Sequence, residues 1–278
     1  MTYSEIYSRI YEELASAGFG EAKSDALLLL DYIGGITRED LFARGSMELS
    51  EATESKLLSA LQKRLTHMPV QHITGYQNFM GLEFAVDENV LIPRYDTEIL
   101  VEEILKDGGS GLNILDMCTG SGCLLISLLK YMNDCKGIGT DISYEALEVA
   151  KQNAKRLEVE STFIQSNMFD NISENEKFDL IVSNPPYIRS DVIPTLMEEV
   201  RAFEPVLALD GDEDGLKFYR IIIEKSRKYL NRSGKLFFEI GYDQGESVKN
   251  LMEAAGFKDV TVVKDFSGLD RVVSGINM

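Results

Sequence analysis

From residue 94 onward, short apolar runs alternate with helical stretches of ten to fifteen residues, and this rhythm constrains the fold more than any other feature of the chain. The runs lie at 112–116, 137–141, 162–165, 178–183 and 235–240, and the helical patterns between them at 97–106, 124–131, 144–155 and 215–230. One more helix and two more strands complete the pattern. Strands that alternate with helices in this way form βαβ units on a mostly parallel sheet. Such sheets bind ligands at the carboxyl ends of their strands, beside the point where the strand order reverses. The strand-end loops therefore carry the functional question.

Upstream, residues 1–68 show helical periodicity only. Ile6, Ile10 and Leu14 recur at a spacing of four; Leu27, Leu28 and Leu30 fill a second stretch; Leu57, Leu58, Leu61 and Leu65 mark a third, which Ser50 and Glu54 introduce. The expectation is a small helical bundle whose leucines and isoleucines are core. Between 69 and 93 the segments 71–74 and 82–86, punctuated by Gly75, Gly81 and Asp87, predict a β-hairpin connector. The anticipated division is thus 1–68, 69–93 and 94–278.

With 28 Lys and Arg against 46 Asp and Glu, the formal charge is −18. Non-specific nucleic-acid binding draws on phosphate neutralisation by basic side chains, so DNA, RNA and anionic membranes are disfavoured partners. No apolar run approaches a membrane span, and the opening residues form an acidic amphipathic helix rather than a secretion signal. The reading is a cytoplasmic monomer. The three cysteines, Cys118, Cys123 and Cys135, fit neither a disulfide framework nor a zinc pattern, and both histidines, His67 and His72, lie upstream of the sheet. No metal is expected. The acidic stretch 210–215 begins like a calcium loop, but its twelfth position is Ile221 rather than a bidentate Glu; it reads as a turn before a helix.

Two strand ends carry chemistry. Asp116-Met117-Cys118-Thr119-Gly120-Ser121-Gly122 follows the first sheet strand and opens a helix, so Gly120 and Gly122 allow close approach of a ligand to the backbone. Asp141 ends the next strand, placed to accept from ribose hydroxyls. A dinucleotide site fits these features as well. Against it, the third glycine of G-x-G-x-x-G is replaced by Leu125, and Asp116 suits a cationic, amine-bearing ligand better than a phosphate. S-adenosylmethionine has the ribose, the ammonium and a sulfonium, and no phosphate.

The second strand end is Asn184-Pro185-Pro186-Tyr187, directly after the buried run 178–183. The prolines fix φ and remove two donors, which stiffens the turn and leaves carbonyls free. A planar amide or arylamine nitrogen is a poor nucleophile because its lone pair is delocalised. A site that methylates it accepts both N–H hydrogens, here at the Asn184 side-chain oxygen and the Pro185 carbonyl, while Tyr187 stacks on the planar group.

Asn-Pro-Pro-Tyr after an Asp-x-x-x-Gly-x-Gly loop resembles class I S-adenosylmethionine-dependent methyltransferases acting on planar amino groups. The whole chain resembles the PrmC/HemK family, which methylates a glutamine amide in peptide-chain release factors. The segments 69–75, 92–94, 203–205, 214–216, 239–241 and 270–273 resemble family motifs in order. The resemblance implies a Rossmann-like α/β fold with a small all-α amino-terminal domain joined by a β-hairpin. It implies N5 methylation of the Gly-Gly-Gln glutamine, with S-adenosylhomocysteine as the second product. By position, Cys118, Thr119, Gly120, Ser121 and Gly122 would line the methionine part of the cofactor, Asp141 the ribose, Asn167 and Met168 the adenine, and Asn184 would border it too. Asn184, Pro185, Pro186 and Tyr187 would grip the glutamine, and the helical domain would dock the release factor. The family often shows Pro-Glu where this chain has Tyr95-Asp96, and an acid with a bulky residue in place of Asn167-Met168. The roles of Arg94 and Glu98 stay undecided. An adenine-N6 nucleic-acid methyltransferase and a non-catalytic module that holds a basic partner are the alternatives; a dehydrogenase is the remotest.

Overall fold

Capping residues set where the amino-terminal helices begin. Thr2 Oγ1 accepts from the Glu5 N–H at 3.3 Å, and the Glu5 carboxylate accepts from the Thr2 N–H at 2.8 Å. This reciprocal pair opens α1 (Tyr3–Ser16). After α2 (Ala22–Gly34), Thr37 and Asp40 repeat the device at α3 (Arg38–Arg44). Ser50 caps α4 (Glu51–Leu65) through the Thr53 N–H at 3.1 Å. Glu54, read from the sequence as part of that start signal, instead pairs with the α-amino group at 2.6 Å.

The computed structural model describes all 278 residues. It contains two units: Met1–Tyr76 with Met197–Phe203, and Gln77–Leu196 with Glu204–Met278. In the first, Ile6, Ile10, Leu14, Leu29, Leu57 and Leu61 are buried together; the 3.6-residue period turns Leu29 inward and leaves Leu28 and Leu58 partly covered.

The segment 71–74 is not a strand. The Pro69 carbonyl accepts from His72 and Ile73, Val70 is buried, and the short helix α5 (Val70–Thr74) ends at Gly75, whose φ of 83° is left-handed. The hairpin therefore begins later, as β1 (Tyr76–Phe79) and β2 (Leu82–Ala85), and turns on Met80 and Gly81 with φ of 51° and 71°. Two consecutive left-handed residues match the twist of a two-residue hairpin.

The second unit continues with α6 (Tyr95–Asp107), β3 (Asn113–Met117), α7 (Cys123–Tyr131), β4 (Lys136–Asp141), α8 (Tyr144–Arg156), β5 (Thr162–Gln165) and β6 (Phe178–Ser183). The chain then contributes α9 (Glu198–Phe203) to the helical unit before α10 (Lys217–Tyr229), β7 (Leu230–Glu239), α11 (Gly245–Ala254), β8 (Lys258–Lys264) and β9 (Asp270–Ile276). The seven strands of the sheet run in the order β5-β4-β3-β6-β7-β9-β8. The first five are parallel; β9 pairs antiparallel with both β7 and β8. Successive residues bury on opposite faces: Leu115 and Ile181 join one core, Ile114 and Val182 the other.

The order reverses between β3 and β6. Their register aligns Met117 with Ser183, so the glycine loop and the Asn-Pro-Pro-Tyr turn emerge side by side at the switch point.

Candidate active site

The glycine loop is a chain of left-handed residues: Cys118 (φ 60°), Gly120 (52°) and Gly122 (80°). Its backbone is held at each step. Thr119 N–H donates to the Thr140 carbonyl at 2.9 Å, and Gly122 N–H to the Thr119 carbonyl at 2.8 Å. A Cβ at Gly122 would lie 2.9 Å from Ile126 Cδ1 and 3.2 Å from Ala150 Cβ, whereas one at Gly120 would meet nothing within 4 Å. Gly122 thus lets α7 and α8 close on the loop, and Gly120 leaves open space before it. Asn153 Nδ2 donates to the Ser121 and Ala85 carbonyls at 2.9 and 3.0 Å while its Oδ1 accepts from Ala85 N–H at 2.7 Å, which ties the loop to β2.

Asp116 lies under this loop rather than on a cavity wall. It is fully buried, and its Oδ2 accepts from Thr119 Oγ1 at 2.6 Å. Burial pushes its carboxyl up to about 7, against the pull of the Thr119 hydroxyl. The expectation that it faces a ligand amine is therefore corrected: its side chain braces the loop from inside. Asp141, half-buried, is the acid that lines the cavity. Its Oδ2 accepts from Gly120 N–H and its Oδ1 from Ser143 N–H, each at 3.0 Å. Burial raises its proton affinity, and these backbone donors oppose the rise. Lone pairs remain on both oxygens for hydroxyl donors.

On the β6 side, Ser183 Oγ donates to the Met117 carbonyl at 2.6 Å and locks the two strand ends together. Asn184 Nδ2 donates to Thr97 Oγ1 at 3.4 Å. Tyr187 is held at both ends: its hydroxyl donates to Glu239 Oε1 at 3.2 Å, and its carbonyl accepts from Gln244 Nε2 at 3.0 Å. Burial and the neighbouring Glu239 carboxylate push the Tyr187 phenol well above its ordinary value.

One cavity spans both loops. Of the residues singled out in the sequence, Cys118, Thr119, Gly120, Ser121, Asp141, Asn167, Met168, Asn184 and Pro186 line it. Gly122, Pro185 and Tyr187, also singled out, adjoin these residues in the chain but are not part of the lining. Thr97, Glu239 and Gln244 support the turn from distant segments; the sequence reading met Glu239 only within the 239–241 motif and Thr97 only as the start of a helical pattern, and gave Gln244 no place. Arg94 lines the cavity and forms an ion pair with the buried Glu204. Glu98 does not reach it: its carboxylate accepts from Met80 N–H at 2.6 Å and secures the hairpin. Burial raises the Cys118 thiol and pushes Cys123 up to about 12, so both are packing groups in the loop. No cluster of three His, Cys, Asp or Glu side chains forms a ligand set.

The electrostatics test the ligand. The charged residues of the wall are Glu88, Asp141 and Arg94, and Arg94 is already neutralised by Glu204. A pyrophosphate would meet carboxylates without a free cation. A nucleoside bearing a sulfonium and an ammonium suits such a wall, which offers the carboxylates of Glu88 and Asp141 and the apolar surface of Met168, Leu124 and Val90.

Comparison with known proteins decides among enzymes built this way. Residues 94–201 match the methyltransferase small domain, and residues 5–75 match the PrmC N-terminal domain. The release factor glutamine methyltransferase of Clostridium acetobutylicum is 40% identical over 91% of this chain and 90% of its own. The chain belongs to the release factor glutamine methyltransferase family. Its Caulobacter vibrioides relative of the same name is 38% identical over 99% of this chain and 96% of its own. A methyltransferase from Pyrococcus furiosus superposes with a TM-score of 0.56 at 18% identity, over 79% of this chain and 98% of the other, which places the α/β sheet among methyltransferase folds.

Proposed function

We propose that this protein transfers a methyl group from S-adenosylmethionine to the side-chain amide nitrogen (N5) of a glutamine in peptide-chain release factors, the Gly-Gly-Gln glutamine being the target. The observation that carries this reading is the side-by-side exit of the glycine loop and the Asn184-Pro185-Pro186-Tyr187 turn into one cavity. When bound, S-adenosylmethionine supplies a methyl group on a positively charged sulfur. Asp141 accepts from the ribose hydroxyls, and Gly120 admits the ligand close to the backbone; Asn167 and Met168 border the adenine.

At the other end, the Asn184 side-chain oxygen and the Pro185 carbonyl accept the two N–H hydrogens of the substrate amide. Holding both hydrogens in the plane turns the nitrogen lone pair toward the methyl carbon, and alignment of this kind supplies much of the rate in such transfers. As the nitrogen gains the methyl carbon, whose bond to sulfur breaks to leave the neutral thioether, it becomes more positive; those two oxygens stabilise the charge, and one N–H proton then passes to solvent water. Pro185 and Pro186 keep the acceptors rigid, and Tyr187, anchored by Glu239 and Gln244, backs the planar group.

The helical unit is proposed to dock the release factor. A surface with −18 net charge suits a basic, rRNA-binding protein and disfavours nucleic acid as direct substrate. No helix is long and apolar enough to cross a membrane, and a monomer acting in the cytoplasm, without a metal, is part of the proposal. The test is incubation with labelled S-adenosylmethionine, a purified release factor and, in parallel, DNA, followed by peptide mass mapping. A methyl on the glutamine, lost with Asn184→Ala, supports the reading. Label on DNA would replace the substrate, and no transfer by a folded, cofactor-binding protein would overturn the activity.

A further inference from the structure

At the carboxyl end of the sheet, three loops put a large aromatic side chain into solvent. Tyr95, the first residue of α6, is 67% exposed; Tyr242, after β7, is 63% exposed; Phe266, in the turn between β8 and β9, is 94% exposed. The register sets Glu239 opposite Val272 and Val272 opposite Val263, so the last two loops leave the sheet at the same end. One buried residue joins all three. Arg271, 9% exposed, donates from Nη2 to Asp265 Oδ2 at 2.9 Å and meets Asp96 Oδ2 at 3.2 Å, and its carbonyl accepts from the Ile240 N–H at 2.9 Å. Each tie lies one or two residues from an exposed ring: Asp96 beside Tyr95, Ile240 before Tyr242, Asp265 beside Phe266. The Phe266 turn is itself held. Asp265 Oδ1 accepts from the Ser267 and Leu269 N–H groups, both at 2.9 Å, and the Asp265 N–H donates to the Leu269 carbonyl at 2.8 Å. These loops also adjoin the site. Tyr95 lies in the chain between Arg94 and Thr97, which line the cavity, and Tyr242 between Glu239 and Gln244, which hold Tyr187.

We propose that Tyr95, Tyr242 and Phe266 form a docking rim for the release factor, outside the cavity that receives its glutamine. The inference rests on the methyl-transfer reading above and gives the sheet unit a contact surface of its own for the protein substrate. Two observations choose this occupant. The loops border the cavity, so a protein whose glutamine enters it lays the neighbouring surface against them. Carboxylates also outnumber cations here: Asp96, Asp243, Asp265 and Asp270 stand against Arg271 and Lys264, and Lys264 already pairs with Asp270 at 2.9 Å. Asp96 and Asp243 are exposed. Such a rim suits a partner that carries apolar and basic side chains, and it repels a polyanion. Aromatic rings are enriched in protein interfaces, and rings on loops that are already fixed lose little freedom when a partner covers them. The Arg271 ties and the Asp265 turn supply that fixing. None of the three rings lines the cavity, so they act on capture of the protein and not on the transfer step.

The experiment compares the full-length wild type with Phe266→Ala, Tyr242→Ala and Asp243→Lys. Binding of a purified release factor is measured by calorimetry, its methylation rates give kcat and KM, and S-adenosylmethionine affinity and melting temperature report on the fold. The expected result is a rise of about 5- to 30-fold in Kd and KM for the release factor in each aromatic variant, the effect of truncating an interface anchor. At saturating release factor, kcat stays within about threefold of wild type, the pattern of binding lost equally from ground and transition states. Cofactor affinity and melting temperature do not change. Asp243→Lys slows association, and the difference from wild type shrinks as salt is raised. Wild-type Kd in both aromatic variants, a fall in kcat at unchanged KM, or faster association of Asp243→Lys would each overturn the rim. A wild-type dimer in sedimentation that Phe266→Ala dissociates assigns the surface to a second copy and overturns it as well. If wild type transfers no methyl to the release factor, the proposed function fails, and the calorimetric comparison still decides the rim.

Discussion

The two glycines of the loop make opposite demands, and substituting each with alanine separates packing from binding. Gly122→Ala places a methyl on a residue with φ of 80°, 2.9 Å from Ile126 Cδ1 and 3.2 Å from Ala150 Cβ. The left-handed backbone costs an L-residue about 1–2 kcal/mol. Ile126 Cδ1 is the tip of a side chain and can swing, but Ala150 has no rotamer to change, so α8 must shift, at a further 1–3 kcal/mol or so. The total is about 2–5 kcal/mol, or roughly 5–20 °C in melting temperature at the 2–4 °C per kcal/mol that domains of this size show. Gly120→Ala carries the same backbone penalty at φ of 52° but meets nothing within 4 Å. Its expected melting shift is no more than about 8 °C by the same scale, while its methyl enters the space in front of the loop and weakens S-adenosylmethionine binding by about tenfold or more, the 1.4 kcal/mol expected of one misplaced methyl. Calorimetric melting and cofactor titration of both variants provide the assay. If Gly122→Ala melts within 2 °C or so of wild type, or the two variants lose stability equally, the packing argument is refuted.

Asp116→Asn tests the buried carboxyl. Its folded-state value of about 7 lies above its ordinary value of 3.8, so it stabilises the fold most at low pH and that contribution is lost as pH rises through 7. Asn should flatten the decline between pH 4 and 7, as measured by urea titrations across that range. In the helical unit, Arg64 is 3% exposed, donates to Asp25 at 2.7 Å and to Glu199 at 2.6 Å, and lies over the Phe19 ring. Arg64→Leu strands a buried carboxylate and should destabilise that unit by about 3–5 kcal/mol, and pairing it with Asp25→Leu should recover most of the loss; hydrogen exchange in α2 and α4 reads both. Asp141→Asn removes the cavity carboxylate proposed to hold the ribose and should weaken S-adenosylmethionine by about 10- to 100-fold, the worth of a charged hydrogen bond, in a calorimetric titration. Finally, burial holds the Cys118 and Cys123 thiols protonated, Cys123 up to about 12, so alkylation at pH 8 should mark Cys135 and spare these two, by peptide mass.

How much of this could be read without coordinates divides along a physical line. Local rules reached far: strands at 162–165 and 178–183 stand where the apolar runs put them, and the helices of the sheet domain fall within two or three residues of their patterns. The same rules marked the glycine loop, Asp141 and the Asn-Pro-Pro-Tyr turn, because close approach, a left-handed backbone and rigid carbonyls each require particular residue types in consecutive positions. They failed at 71–74, where β-branched and polar residues looked extended but Pro69 started a helical turn and a buried Val70 kept it. Other features have no local signature at all. That Asp116 points inward while Asp141 faces the cavity follows from how β3 and β4 are packed, since both are acids at strand ends. Arg64 looked like one more charge on a helix until α9, about 135 residues later, delivered Glu199 beside it. Thr97, Glu239 and Gln244 converge on one turn from three separate elements, and only the folded sheet brings them within hydrogen-bonding distance. Sequence set the local chemistry of the two loops at short range; the tertiary structure oriented their side chains, because orientation depends on partners far away in the chain.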